Sequence, residues 1–179
     1  MNKIKTISQL TVFMIILMIY NAGYSQNTIF IGTKSYEATP SWNFSPAKRT
    51  FLDDDIDIQI GKSSTAGIIM LSVASEFGHA SINGIILIYL SNGKVLSLTT
   101  KIASDYANDR ISVIYSLNSK DINAMKENDI INVRFNYTDT LGRKMGLAAR
   151  NGQTYNDGMQ ERQTLKVETA SAIRKLFSE

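Results

Sequence analysis

Polar and apolar residues alternate at period two through much of the chain, the period of half-buried strands. Between Asp55 and Ile60, the residues Ile56, Ile58 and Ile60 fall on one face and Asp55, Asp57 and Gln59 on the other. Ile111, Val113, Tyr115 and Leu117 repeat the pattern. So do Ile131, Val133, Phe135 and Tyr137, with Asn132, Arg134 and Asn136 opposite. Gly67–Val73 and Ile85–Leu90 are continuous apolar runs, as strands covered on both faces would be. Residues 26–50 read as an extended segment with a short strand around Ile29–Ile31, because Pro40 and Pro46 bar regular helix nearby.

Turn residues punctuate these runs. Asn92-Gly93, between Ile85–Leu90 and Val95–Leu98, predicts a hairpin with a two-residue turn whose central residues both need positive φ. Leu141-Gly142 turns the chain into a weaker strand over Arg143–Ala149, and Asn151-Gly152 with Asn156–Gly158 marks a loop.

Two segments follow helical spacing instead. In Asn118–Asn128, Asn118 or Ser119 can cap the N-terminus, Asp121 complements the dipole, and Ile122 with Met125 forms a small apolar stripe. At about three turns, this helix can serve a parallel crossover or carry the chain from one sheet to another, and both readings stay open. A C-terminal helix is expected over residues 159–177, with Leu165, Thr169, Ala172, Ile173 and Leu176 on one stripe. Glu161, Glu168 and Glu179 interrupt its basic side chains, so packing on its own domain is expected rather than lying on a membrane. The fold class expected is α+β: a mostly antiparallel sheet or sandwich of about seven to eight short strands, with one short internal helix and the C-terminal helix.

The first residues bear on location. Lys3 and Lys5 precede the apolar run Leu10–Tyr20, and Gly23 and Ser25 follow as small residues two positions apart. That order predicts a secretory signal peptide, residues 1–25, cleaved after Ser25. The apolar run is about half the roughly 20 residues of a membrane-spanning helix. The leader resembles those of Gram-negative exported proteins whose mature chain opens with Gln, here Gln26, and the resemblance implies location without activity. Residues 26–179 are expected to form a single domain, periplasmic or secreted, with no transmembrane span.

Charge and composition then exclude several classes. The 19 Lys and Arg against 16 Asp and Glu become 17 against 16 once Lys3 and Lys5 leave with the leader. A near-neutral chain has no electrostatic case for nucleic acid. With no cysteine there is no disulfide and no lipid-modified cysteine. The 154 remaining residues can bury about 70% of their unfolded surface without such a staple.

Chemistry-bearing motifs are sparse. Asp53, Asp55 and Asp57 could gather oxygen ligands for calcium, but the helix-loop-helix calcium loop needs Gly at the sixth position and Glu at the twelfth, where Ile58 and Ser64 stand. The competing reading is a solvated strand face whose charges discourage edge pairing. Gly61-Lys62-Ser63 imitates a phosphate-binding loop, yet Ile56 occupies the position of its first Gly and a strand follows instead of a helix. His79 is the sole histidine, which rules out zinc sites built from several His or Cys, and no nucleophile elbow exists. Tyr36, Trp42 and Phe44 are the ligand-binding candidates: exposed, they could stack on sugars or take up peptides; buried, they cover the end of the core.

No paired acid–base motif, metal cluster or cofactor signature emerges. The expected function is a non-catalytic binding, adaptor or structural module of the bacterial envelope or exterior, with an envelope protein or a glycan as partner. One alternative is a hydrolase acting on envelope or extracellular glycans or peptides, with Glu37, Asp53 to Asp57, Glu76 and His79 as its carriers. Another is a subunit of an envelope assembly.

Overall fold

The structure, a computed structural model, describes residues 27–46, 56–64, 66–75, 80–139, 141–152, 154–156, 161–163 and 166–178, with backbone alone for 154–156 and 161–163. The chain opens with a hairpin, β1 (Asn27–Ile31) and β2 (Lys34–Ala38), and continues through β3 (Trp42–Pro46), β4 (Ile56–Lys62) and β5 (Gly67–Ala74). Next come β6 (Ser81–Leu90), β7 (Val95–Leu98), β8 (Lys101–Ala107), β9 (Arg110–Leu117) and helix α1 (Ser119–Glu127). The chain then runs through β10 (Ile130–Thr138), β11 (Lys144–Arg150), the short pair β12 (Thr154–Asn156) and β13 (Glu161–Gln163), and helix α2 (Thr169–Leu176).

Eleven strands form one open, antiparallel sheet in the order β7-β6-β10-β11-β3-β4-β5-β9-β8, with the β1–β2 hairpin attached to β4 through Ala38 and Gly61. The expected seven to eight strands are therefore too few. The additional ones are β3, whose Trp42 and Phe44 alternate over too short a stretch between Pro40 and Pro46 to stand out, and β2 and β8, whose sequences lack a clear apolar period. A strand at an edge or in an outer layer is held by backbone pairing and has one face or none to bury.

Strand β3 makes the sheet a folded one. Its first residues pair with β4, Trp42 facing Ile58 and Phe44 facing Ile56, while Ser45 and Pro46 pair with Arg150 and Ala149 of β11. The sheet bends there, and its two halves enclose a single core. Ile56, Ile58 and Ile60 of β4, Ile69, Leu71 and Val73 of β5, and Val113, Tyr115 and Leu117 of β9 meet Ile86, Ile88 and Leu90 of β6 in that core. Strand β5 is covered on both faces, as its unbroken apolar run implied. Its outer Ile68 packs with Ile114 beneath Ile29 and Ala38 of the first hairpin.

Helix α1 carries the chain from β9, in one half, to β10, in the other, so the parallel-crossover reading is excluded. Its N-terminus is a capping box: Asn118 Oδ1 accepts from the Lys120 and Asp121 amides at 2.9 and 3.0 Å, and Asp121 accepts from the Asn118 amide at 3.3 Å.

The C-terminal helix is shorter than the 159–177 expected. Glu161–Gln163 lie in β13, and the helix begins only at Thr169. The reason is tertiary. Asn151 captures the segment ahead of the helix, its Nδ2 donating to the carbonyls of Ile130 and Val167 and its Oδ1 accepting from the Val167 amide, each at 2.8 Å. Helix α2 has no side-chain cap of its own at Glu168. Asp129, from the α1–β10 connection, accepts from the Ala170 amide at 2.9 Å, and Thr169 Oγ1 accepts from the Ile130 amide at 2.8 Å. Arg174 donates to the Lys126 carbonyl at the end of α1, at 2.6 Å. With Ile173 and Leu176 buried, α2 packs on its own domain. Among the described residues no helix is long and apolar enough to cross a membrane.

The predicted Asn92-Gly93 hairpin forms, with a different turn. Gly93 alone has positive φ (84°), the Gly93 amide donates to the Leu90 carbonyl at 2.9 Å, and the Leu90 amide donates to the Lys94 carbonyl at 2.9 Å. The loop thus has three residues, Ser91 to Gly93, with the glycine as the bulge position. The tight two-residue turn lies instead between β8 and β9, where Asn108 (φ 51°) and Asp109 (φ 56°) both adopt positive φ.

Candidate ligand-binding face

Each half of the sheet has an outer face, and the two differ in character. On the half containing β4, β5 and β9, the hairpin covers the apolar end and a polar row occupies the other. Asn43, Asp57, Ser72, Ser112 and Asp105 stand opposite one another on β3, β4, β5, β9 and β8. Arg110 reaches across this row. Its Nη2 lies 2.8 Å from Asp57 Oδ2 and donates to the Ser72 carbonyl at 3.1 Å, and its Nε donates to Ser72 Oγ at 3.2 Å. Asn43 Nδ2 donates to the other oxygen of the Asp57 carboxylate. These groups satisfy one another and form a stitched surface across the strands.

The sequence candidates distribute as follows. Asp57 belongs to this row. Asp53 and Asp55 lie outside the described residues, as do Glu76 and His79. No group of three or more metal-capable side chains occurs among the described residues. Trp42 and Phe44 point into the core, 3% and 0% exposed, so they cover the core's end and present no face to a ligand. Tyr36 is half-buried against the Ile29 layer, and Glu37 is exposed on β2.

The other half presents a more uniform surface. None of β6, β7, β10 or β11 contains an Asp or Glu. Strand pairing aligns their outward side chains into rows. Val95, Tyr89, Asn132 and Arg150 form one, Ser97, Leu87, Arg134 and Ala148 the next. Asn83, Asn136 and Gly146 follow, then Ser81, Thr138 and Lys144. Lys144 and Arg150 are six residues apart, about 20 Å along the strand, and four strands at about 4.8 Å spacing span about 14 Å. Gly146 and Ala148 leave a low floor beside Arg134.

Electrostatically this face is one-sided. Arg134, Lys144 and Arg150 are exposed and have no acidic partner among the described residues. The guanidinium of Arg134 lies 6.0 Å from the centre of the Tyr89 ring, which orients it over the sheet. Asn132 Oδ1 is buried between the Tyr89 and Arg150 positions and accepts no hydrogen bond, an orphan acceptor at the middle of the row. Ile85 and Val95 add exposed apolar area, at 48% and 45%. Such a surface can hold an anionic ligand by charge-assisted hydrogen bonds and its neutral parts by amides and apolar contact.

Sequence reading placed Asn132, Arg134 and Asn136 on the polar face of one strand but passed over Tyr89, Lys144 and Arg150. The available signal was the run of four strand segments without a carboxylate. No protein-family model matches the chain, and searches of curated proteins and of solved structures find no match.

Proposed function

We propose that this chain is an exported, non-catalytic binding module of the bacterial envelope or exterior, and that the outer face of β6, β7, β10 and β11 is where its partner docks. The observation that carries this reading is the cationic character of that face, which has no acidic side chain among the described residues of its strands. Partner-binding surfaces combine an apolar or aromatic element with arginine, and Tyr89, Leu87, Arg134 and Arg150 are such a set. The apolar stripe of α2, the other element able to recruit a partner, is already spent on the protein's own core. Export rests on the basic, apolar and small-residue order of residues 1–25.

Two measurements test the reading. N-terminal sequencing of the protein recovered from its host's envelope or medium should start at Gln26, and a cytosolic product still beginning at Met1 would remove the location. The wild-type chain should sediment with isolated envelope material, and the Arg134→Glu/Arg150→Glu variant, folded by circular dichroism, should stay in solution. Equal sedimentation of the two would place the docking surface elsewhere.

A further inference from the structure

We infer that the partner held on this face is an acidic polysaccharide, an inference that rests on the binding-module reading above. Three features of the face select this chemistry. First, Arg150, Arg134 and Lys144 put three cations on one surface with no carboxylate among the described residues of its strands, which favours a ligand carrying repeated negative charge. Arginine, at Arg134 and Arg150, suits carboxylates because its planar fork can engage both oxygens.

Second, the positions between the cations are filled by amides and hydroxyls: Asn83, Asn132 and Asn136, with Ser81, Ser97 and Thr138. Amides and hydroxyls both donate and accept, so they match a ligand whose hydroxyls do the same. A phosphate-rich surface would be served by cations alone. The unsatisfied Asn132 Oδ1 is an acceptor that a ligand hydroxyl would satisfy once the amide turns outward.

Third, the surface is broad. An added peptide strand would use the free edges, at β7 and at β6 ahead of Ile86, which border this face, whereas Arg134, Lys144 and Arg150 stand on β10 and β11, each paired on the face. What the face offers is a row-and-column grid about 20 Å by 14 Å, with apolar patches at Leu87, Tyr89 and Val95 for the non-polar faces of sugar rings.

The experiment is titration calorimetry on the full chain at about 50 mM salt, with polygalacturonate as probe. Amylose, poly-L-glutamate and anionic phosphatidylglycerol vesicles serve as comparison ligands. Polygalacturonate should bind at least tenfold more tightly than poly-L-glutamate and amylose, and should weaken as salt is raised. The Arg134→Gln/Arg150→Gln variant should lose at least tenfold in affinity. The Arg134→Lys/Arg150→Lys variant, which keeps charge and removes the fork, should fall between.

Equal binding of polygalacturonate and poly-L-glutamate would mean a general polyanion surface and overturn the inference. So would equal binding of amylose, or binding confined to vesicles. If none of the four ligands binds while the charge-reversed variant still loses the envelope, the glycan is wrong and the binding module stands. If envelope sedimentation is also unaffected, both fall.

Discussion

The hydroxyl of Tyr115, on β9, donates a 2.7 Å hydrogen bond to the carbonyl of Gly84, on β6 in the opposite half of the sheet. Gly84 has φ +81° and lies where β6 bulges: Leu87 faces Arg134 while Asn83 faces Asn136, so three residues of one strand oppose one of the other. Ahead of Ile86, β6 has no partner on its β7 side, and its carbonyls there need donors. Tyr115 supplies one, and Lys101 Nζ supplies another to the Ile82 carbonyl at 3.1 Å. Side chains from the β9–β8 end thus seal a seam that strand pairing leaves open.

Replacing Tyr115 with Phe should therefore destabilise the fold by about 1 kcal/mol, the net worth of one part-buried hydrogen bond, read as a lower urea midpoint. Burial pushes the Tyr115 hydroxyl above its ordinary value of 10.0. The native state favours the neutral phenol, so the contribution is whole below pH 10 and lost as pH rises through the native value. Wild-type stability should fall more steeply above pH 10 than that of Tyr115→Phe; parallel curves would refute the assignment.

Asn151 holds the C-terminal segment by three side-chain hydrogen bonds. Asn151→Ala should cost about 2 kcal/mol or more and release the Val167 and Ala170 amides to hydrogen exchange well before the amides of β5. Asn151→Asp keeps the acceptor for the Val167 amide but sets a carboxylate oxygen against the Ile130 and Val167 carbonyls, and should cost at least as much as Ala. Unchanged exchange at Val167 in the Ala variant would show that the helix docks without this residue.

Two glycines with positive φ should respond differently to alanine. Gly93 (φ 84°) has open space where an added Cβ would sit, so Gly93→Ala should cost only the backbone strain, about 1 kcal/mol. At Gly152 (φ 71°) an added Cβ would lie 2.6 Å from Lys166 Cβ and 2.7 Å from its Cα. Gly152→Ala should lose clearly more than Gly93→Ala in thermal melting, because the backbone of Lys166 must move. Equal losses would mean that the segment yields freely.

Asp139 organises the β10–β11 turn, accepting from the Leu141 and Arg143 amides at 3.0 and 2.8 Å and from Arg143 Nε at 2.6 Å. Desolvation alone would raise its carboxyl, but the hydrogen bonds and charge of Arg143, with the Leu141 amide, bring it below the ordinary 3.8. A lowered value gives stability that is present above pH 3.8 and lost as pH falls through the native value. Asp139→Ala should flatten the acid limb of the stability curve and speed exchange of the Arg143 amide. An unaltered acid limb would count against this role.

Much of the architecture is written locally. The period-two isoleucines of β4 predict their buried face, because a strand covered on one face buries alternate side chains. The start of α1 is visible too, since Asn118 or Ser119 can cap it and Asp121 suits its dipole, and the structure selects Asn118 and pairs it with Asp121 in a box. Turn geometry is less so: Asn92-Gly93 looks like the tight turn, but the strand register makes it a three-residue loop and gives the two-residue turn to Asn108-Asp109. The aromatic candidates show the same limit. Trp42 and Phe44 read as exposed or buried depending on what lies opposite, and the pairing of β3 with β4 puts both inside.

What the sequence determined by itself was most of the strands with a buried face, the first helix with its candidate capping residues, and the absence of cysteine. Each follows from chemistry between residues a few positions apart. The tertiary structure alone decided that β3 joins the two halves, that Asn151 and Asp129 shorten and cap the last helix, and that Tyr89, Arg134 and Arg150 share one surface. Those relations depend on strand register, which pairs residues as far apart in sequence as Ser45 and Arg150, and no local pattern encodes which strands will be neighbours.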